Sequence, residues 1–323
     1  MEYRRLGRTG LKVSALCLGT MTMGWTSGKE DSFAVLDAFV EAGANFIDTA
    51  DVYSSWAKGN PGGVAEAWIG EWLQHRDVPR HQLVIATKVR GRMWDGPNGE
   101  GLSRSHIMKA VEDSLRRLNT DYIDLYQTHW PDEETPLDET LRALDDLVRQ
   151  GKVRYLGASN HPAWLLTKAL WTSDRLDLAR YDCLQPHYNL VHRAEFEREL
   201  MALCQDQRLG VIPYSPLEGG FLTGKYRRGQ ALPQESRGAA SGNVQRYMTD
   251  HNFAVVNKIE EIGKAHDASV AQVAIAWLLA NPVITAPIIG ANTVAQLTDT
   301  MGALSAKLSD GEKAALDEMS AWE

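Results

Sequence analysis

A chain of 323 residues with 44% hydrophobic and 24% charged residues is able to bury a large core, which excludes extended disorder. Its formal net charge of −8, with a pI near 5.6, argues against a nucleic-acid binder, which carries a basic face. No apolar run approaches the roughly 20 residues of a membrane span, and Met1 to Leu6 opens polar, unlike a signal peptide, so a cytoplasmic location is expected.

In chain order, Tyr3 to Val13 places the turn residues Gly7-Arg8-Thr9-Gly10 between two strand-like segments. This predicts a hairpin that plugs the bottom of the fold to come. Beyond it, short apolar runs alternate with amphipathic stretches, the pattern of repeated βα units around a parallel sheet. Strands are predicted at Ala15–Leu18, Phe46–Asp48, Val84–Lys88, Ile123–His129, Val153–Ser159, Cys183–Pro186, Val211–Tyr214 and Ala286–Ile289. Helical periodicity falls between them, at Phe33–Glu41, Ala65–Gln74, Arg104–Arg117, Leu141–Gln150, Ala194–Asp206, Asn252–His266 and Val270–Ala280. Ser32, Ser103 and Ser269 stand where N-caps belong. The segment 309–322 predicts a further helix packed outside.

Nothing in the composition forces a split, so residues 1–323 are expected to form a single α/β domain. The predicted architecture is a (β/α)8 TIM barrel with an N-terminal β-hairpin and a C-terminal helix. An open doubly wound sheet is the alternative. Three longer loops, 53–63, 91–101 and 217–249, follow strands and would shape the mouth; the glycine-rich 91–101 stretch reads as mobile. Cys17, Cys183 and Cys204 lie far apart in apolar surroundings, which predicts buried free thiols.

Asp48, Lys88 and His129 each close an apolar run, and Tyr53 follows just beyond the first. Polar groups at the C-terminal ends of successive barrel strands are where this architecture places its chemistry. A phenol with a pKa near 10 is a sluggish proton donor unless a cation stabilises its ionised form, and Lys88 can supply that cation. Asp48 would keep the lysine charged, and a neutral His129 would orient a substrate oxygen. Taken singly, a strand-end Asp–Lys pair or a lone histidine is as readily a structural feature.

Other chemistries find less support. Nine histidines are present, but no H-x-H or H-E-x-x-H, so no metal site is expected. There is no G-x-S-x-G nucleophile elbow, and Gly19-Thr20-Met21-Thr22-Met23-Gly24 lacks the G-x-G-x-x-G spacing of a Rossmann pyrophosphate site.

The four residues, with Asp48-Thr49-Ala50 shortly before Tyr53, resemble the Asp, Tyr, Lys and His tetrad of the aldo-keto reductase family. Further matches follow in order: Leu18-Gly19-Thr20-Met21, Gly157-Ala158-Ser159-Asn160, Gln185 with Tyr188-Asn189, Tyr214-Ser215-Pro216-Leu217, Gly224-Lys225-Tyr226, and Gly290-Ala291-Asn292 with Gln296-Leu297. The resemblance implies a TIM-barrel oxidoreductase that reduces an aldehyde or ketone, with Tyr53 as proton donor and a small-molecule carbonyl compound as its partner. It implies an extended nicotinamide dinucleotide across the mouth, near Gly19, Thr20, Met21 and Asp48. Ser159, Asn160 and Gln185 would hold the carboxamide, Tyr214 would stack on the nicotinamide, and Ser215, Leu217, Lys225 and Arg237 would meet the phosphates. Gly290, Asn292 and Gln296 would line the adenosine end.

Within the family the chain is similar to the potassium-channel β-subunit branch, which implies NADP(H) as the favoured cofactor and NAD(H) as the alternative. Asn292 stands where many bacterial relatives carry an arginine, and Asp299 and Thr300 replace a usual glutamate and asparagine. Trp25, Trp56, Trp94 and Trp130 sit in mouth loops and are expected to wall the substrate pocket. A nucleotide-binding redox sensor with slow turnover, and an isomerase or lyase working without cofactor, are the alternative functions. Oligomeric state and substrate identity are not legible in the sequence.

Overall fold

The computed structural model describes residues 1–76, 78–234, 238–239 and 243–322. Strands β1 (Tyr3–Arg5) and β2 (Lys12–Ser14) form an antiparallel hairpin. A parallel eight-stranded sheet follows, built from β3 (Cys17–Gly19), β4 (Phe46–Asp48), β5 (Val84–Val89), β6 (Ile123–Thr128), β7 (Val153–Ser159), β8 (Tyr181–Gln185), β9 (Gly210–Val211) and β10 (Ile288–Gly290). Its order, β10-β3-β4-β5-β6-β7-β8-β9, is sequential except where the last strand returns to the first. Hydrogen bonds from Thr285 N to Val211 O (2.8 Å) and from Ile288 N to Pro213 O (2.9 Å) join the two ends of the sheet. The ring is therefore closed as a (β/α)8 barrel.

The barrel interior is filled rather than hollow. Cys17, Phe46, Val84, Ala86, Leu125, Cys183, Ile212 and Ala286 point inward and are buried, and Leu6 and Val13 from the hairpin join the same cluster. The hairpin thus plugs the end opposite the strand C-termini, and each of its two buried side chains contributes roughly 1.5–3 kcal/mol. The plug seats closely at Gly7, where φ is +55° and a Cβ would lie 2.4 Å from Gly210 N. Only glycine fits there.

Helices pack around the sheet at Lys29–Glu41, Val64–His75, Arg104–Leu118, Leu137–Arg149, Ala163–Leu176, Met201–Gln207, Asp250–Ala265, Val270–Leu279 and Val294–Met301, with Asp310–Met319 at the C-terminal end. Ser103 caps its helix by accepting from His106 N, and Ser269 forms a capping box with Gln272. No helix among the described residues is long and apolar enough to cross a membrane.

Several boundaries differ from expectation for local reasons. Ser32 is not a cap: its helix begins at Lys29, and the Ser32 hydroxyl donates back to Gly28 O (2.6 Å). The seventh barrel strand stops at Val211 instead of reaching Tyr214, and the eighth starts at Ile288 instead of Ala286. Pro213 and Pro287 lack the N–H that a ladder requires. The helix expected over 194–206 opens with a π turn, Phe196–Leu200, before becoming regular. The 91–101 loop carries backbone bonds from Met93 N to Gly99 O and from Gly101 N to Arg90 O.

Candidate active site

Parallel register places Asp48 opposite Ala86 on β5, so Lys88, two residues further along the same face, reaches across the strand end. Lys88 Nζ donates to Asp48 Oδ2 (2.6 Å), Thr49 O (2.9 Å) and the Tyr53 hydroxyl oxygen (2.7 Å). All three ammonium donors are thereby used inside a site where the Lys88 and Asp48 side chains are each only 1% exposed. The other Asp48 oxygen accepts from Gln127 Nε2 (3.0 Å) and Gln185 Nε2 (2.9 Å). The carboxylate is held from both sides.

Burial would pull Lys88 toward neutrality, but the adjacent Asp48 and Tyr53 outweigh it and hold its pKa above the ordinary lysine value. For Tyr53 the balance runs the other way from the expectation that Lys88 would make the phenol more acidic. Burial dominates, Lys88 only partly offsets it, and the phenol pKa is pushed up to about 12. Tyr53 therefore stays protonated at neutral pH. His129 is driven well below its usual range by burial and by the charges of Lys88 and Arg90, so its imidazole is neutral. Its ring centroid lies 5.9 Å from that of Tyr53, and its buried Nδ1 has no hydrogen-bond partner among the described residues.

Tyr53, His129 and Trp130 open into a cavity of about 670 Å³ at the strand C-termini. Gly19, Met21, Asp48, Ser159, Asn160, Gln185, Tyr214, Ser215, Leu217, Lys225, Gly290, Asn292 and Gln296 line it too, together with Asp299 and Thr300. A continuous set of hydrogen bonds ties its floor. Tyr214 donates to Asn160 Oδ1 (2.9 Å), Asn160 Nδ2 donates to His129 O (2.9 Å), and Ser159 Oγ donates to Gln185 O (2.9 Å). At the far end Gln296 Oε1 accepts from Asn292 N (2.9 Å). Gly220, at φ +91°, leaves room for Lys225, whose Nζ would lie 2.6 Å from any Cβ there.

Some expected residues lie elsewhere. Thr20 is fully buried and spends its hydroxyl on Asp48 O (3.0 Å), so it supports the strand end instead of lining the cavity. Trp94 packs on His106, 5.0 Å between centroids, outside the cavity. Trp25 and Trp56 meet edge to face (5.7 Å) and do not line it either, although Trp56 lies 6.4 Å from Tyr53. Arg237 lies outside the described residues. No group of three or more potential metal ligands occurs among the described residues.

Two parts of the site were missed in the sequence. Gln127 sits two residues before His129, and strand alternation alone could have pointed it at Asp48. Buried Glu66 accepts from Thr87 Oγ1 (2.6 Å) and Arg117 Nε (2.7 Å), bracing β5 one residue before Lys88. Beside these, His187 stacks behind Tyr214 and pairs with Glu218 (2.5 Å).

The family model for the aldo/keto reductase family matches residues 15–321. An uncharacterized oxidoreductase of Bacillus subtilis, YrpG, is 40% identical over 312 residues, covering 95% of this chain and 92% of its own length. A probable voltage-gated potassium channel subunit beta of rice (Oryza sativa subsp. japonica) is 37% identical, with 94% and 91% covered. The versiconal hemiacetal acetate reductase of Aspergillus parasiticus is 35% identical, with 98% and 96% covered. A match over nearly the whole chain, on a closed barrel with these four side chains at its mouth, leads to one conclusion: the protein belongs to the aldo/keto reductase family and is an NAD(P)H-dependent oxidoreductase of carbonyl compounds.

Proposed function

We propose that the protein is an NADPH-dependent reductase of aldehydes or ketones in which Tyr53 donates the proton. The observation that carries this reading is the protonated Tyr53 hydroxyl, fixed 2.7 Å from Lys88 Nζ and opening into the same cavity as neutral His129 and Tyr214. A dihydronicotinamide bound there supplies the hydride. The cavity suits such a group: Tyr214 offers a flat ring, Ser159, Asn160 and Gln185 offer amide and hydroxyl partners, and Lys225 offers a cation at the exposed rim.

The substrate carbonyl oxygen accepts hydrogen bonds from Tyr53 and His129. As charge develops on that oxygen, the Tyr53 proton passes to it, and Lys88 stabilises the resulting phenolate. Asp48, clamped by Gln127 and Gln185, keeps Lys88 charged and in place. In the oxidative direction the phenolate of Tyr53 acts as the base. Gly290, Asn292 and Gln296, with Asp299 and Thr300, form the adenosine end; NADP is favoured over NAD by the similarity to the potassium-channel β-subunit branch, and Lys225 supplies a cation for a phosphate.

The test is single-turnover oxidation of enzyme-bound NADPH by excess aromatic aldehyde, followed by reduced-nicotinamide fluorescence, with NADH in parallel. Rapid loss of signal that disappears in Tyr53→Phe supports the reading. Tight NADPH binding with no oxidation by any aldehyde overturns it in favour of a nucleotide-binding sensor.

A further inference from the structure

Arg90 lies two residues beyond Lys88, immediately after β5, and makes no hydrogen bond to the proton-transfer residues. Its guanidinium lies over the Trp130 ring, 5.1 Å from the centroid, and Trp130 in turn lies against His129 at 4.3 Å. Trp130 and His129 both line the cavity that receives Tyr53. The charge of Arg90 reaches His129, where it helps to keep the imidazole neutral.

This guanidinium is unusually underused. Its Nε is buried without a hydrogen-bond partner, and none of its N–H groups makes a hydrogen bond among the described residues. Its Nη1 forms a loose ion pair with Glu100 Oε2 at 4.0 Å, too far for a hydrogen bond, while the other Glu100 oxygen accepts from Arg92. Asp132, the other acid that senses Arg90, is occupied by Leu102 N (2.7 Å), Glu134 N (3.1 Å) and Thr135 Oγ1 (2.7 Å). Neither anion gives the guanidinium a hydrogen bond, and its side chain is 26% exposed, behind the cavity wall that Trp130 forms. The backbone of Arg90 has φ 130°, a conformation that side chains rarely adopt and that concentrates at functional positions.

We propose that Arg90 selects carbonyl substrates carrying an anionic group, a carboxylate above all, by binding that group at the Trp130 side of the site while the carbonyl faces Tyr53 and His129. The assignment rests on the carbonyl-reductase reading above and deepens it to a substrate class. Arg90 supplies paired N–H donors for the anion, and the indole face beneath it excludes water from one side.

The experiment compares 4-carboxybenzaldehyde with its methyl ester, methyl 4-formylbenzoate, as substrates with NADPH at low ionic strength. The ester is the more electrophilic aldehyde, so any advantage of the acid comes from recognition of its charge. The parent enzyme is expected to favour the acid in kcat/KM by about tenfold or more, the worth of a charge-assisted hydrogen bond. Added salt should shrink the ratio, Arg90→Lys should keep part of it, and Arg90→Gln should bring it near one. A parent ratio at or below one, or a ratio that survives Arg90→Gln, overturns the assignment while leaving ester reduction, and so the reductase reading, standing. Should the Arg90 variants not fold, the parent's ratio and its salt dependence decide the matter. Failure of the parent to oxidise NADPH with the acid overturns the Arg90 assignment; failure with every aldehyde overturns the reductase reading as well.

Discussion

The His187 imidazole lies face to face with the Tyr214 ring, 4.9 Å between centroids and 15° between planes. His192 continues the stack at 3.8 Å, and Glu218 fixes His187 through its Nε2 (2.5 Å). The aromatic wall of the cavity is thus backed by a second ring that is itself tied down. His187→Gln removes the ring and keeps a hydrogen-bonding group for Glu218. Loss of a stacked aromatic contact is worth about 0.5–1.5 kcal/mol, so NADPH should bind roughly two- to tenfold more weakly in a fluorescence titration. Unchanged affinity would count against Tyr214 and its support as part of the proposed cofactor site.

Tyr53→Phe deletes the proposed proton donor while leaving the cavity walls in place. Turnover of any carbonyl substrate should fall by about 10²–10⁴, the usual worth of a positioned general acid, and the NADPH dissociation constant should stay within a few-fold. Steady-state rates paired with a nucleotide titration measure both. A variant retaining parental kcat would eliminate Tyr53 as the donor.

The pH dependence follows from the Tyr53 pKa of about 12. In the proposed mechanism reduction uses the protonated phenol, which is almost fully populated across about pH 6 to 9, so Tyr53 puts no alkaline limb on kcat for reduction there. Oxidation needs the phenolate, whose fraction rises about tenfold per pH unit below the pKa. The alcohol-oxidation rate should therefore climb steadily over the same range. Equal pH profiles in the two directions would contradict the role.

Arg117 and Glu66 form an ion pair in which the Glu66 side chain is completely buried. Arg117→Met leaves that carboxylate without its cation. The expected cost is about 3–5 kcal/mol of stability, as for other broken buried pairs, read as a lower denaturation midpoint in urea. The double variant Glu66→Gln/Arg117→Met should recover part of the loss. If the single variant melts with the parent, the pair is not what braces β5.

Sequence reasoning reached the tetrad because Asp48, Lys88 and His129 each end an apolar run, and a polar residue at a strand end is a local signal. The barrel itself was legible for the same reason: strand and helix periods alternate along the chain. What escaped is contact between distant segments. Gln127 and Gln185 reach Asp48 across 79 and 137 residues of sequence, and Arg117 reaches Glu66 across 51. Trp94 was expected at the pocket from its loop position, but His106 offers it a ring to pack on. The shortened β9 and β10 were foreseeable, since Pro213 and Pro287 stand in the predicted strands.

The plugged barrel interior holds Cys17 and Cys183, both fully buried, and burial pushes each thiol pKa well above its usual value. Neither sulfur can meet an alkylating reagent as a thiolate while the hairpin is seated and the strands are closed. Their labelling is therefore a clock for opening of the whole barrel: at saturating reagent, the rate at which these two thiols become modified reports how often the native enzyme comes apart.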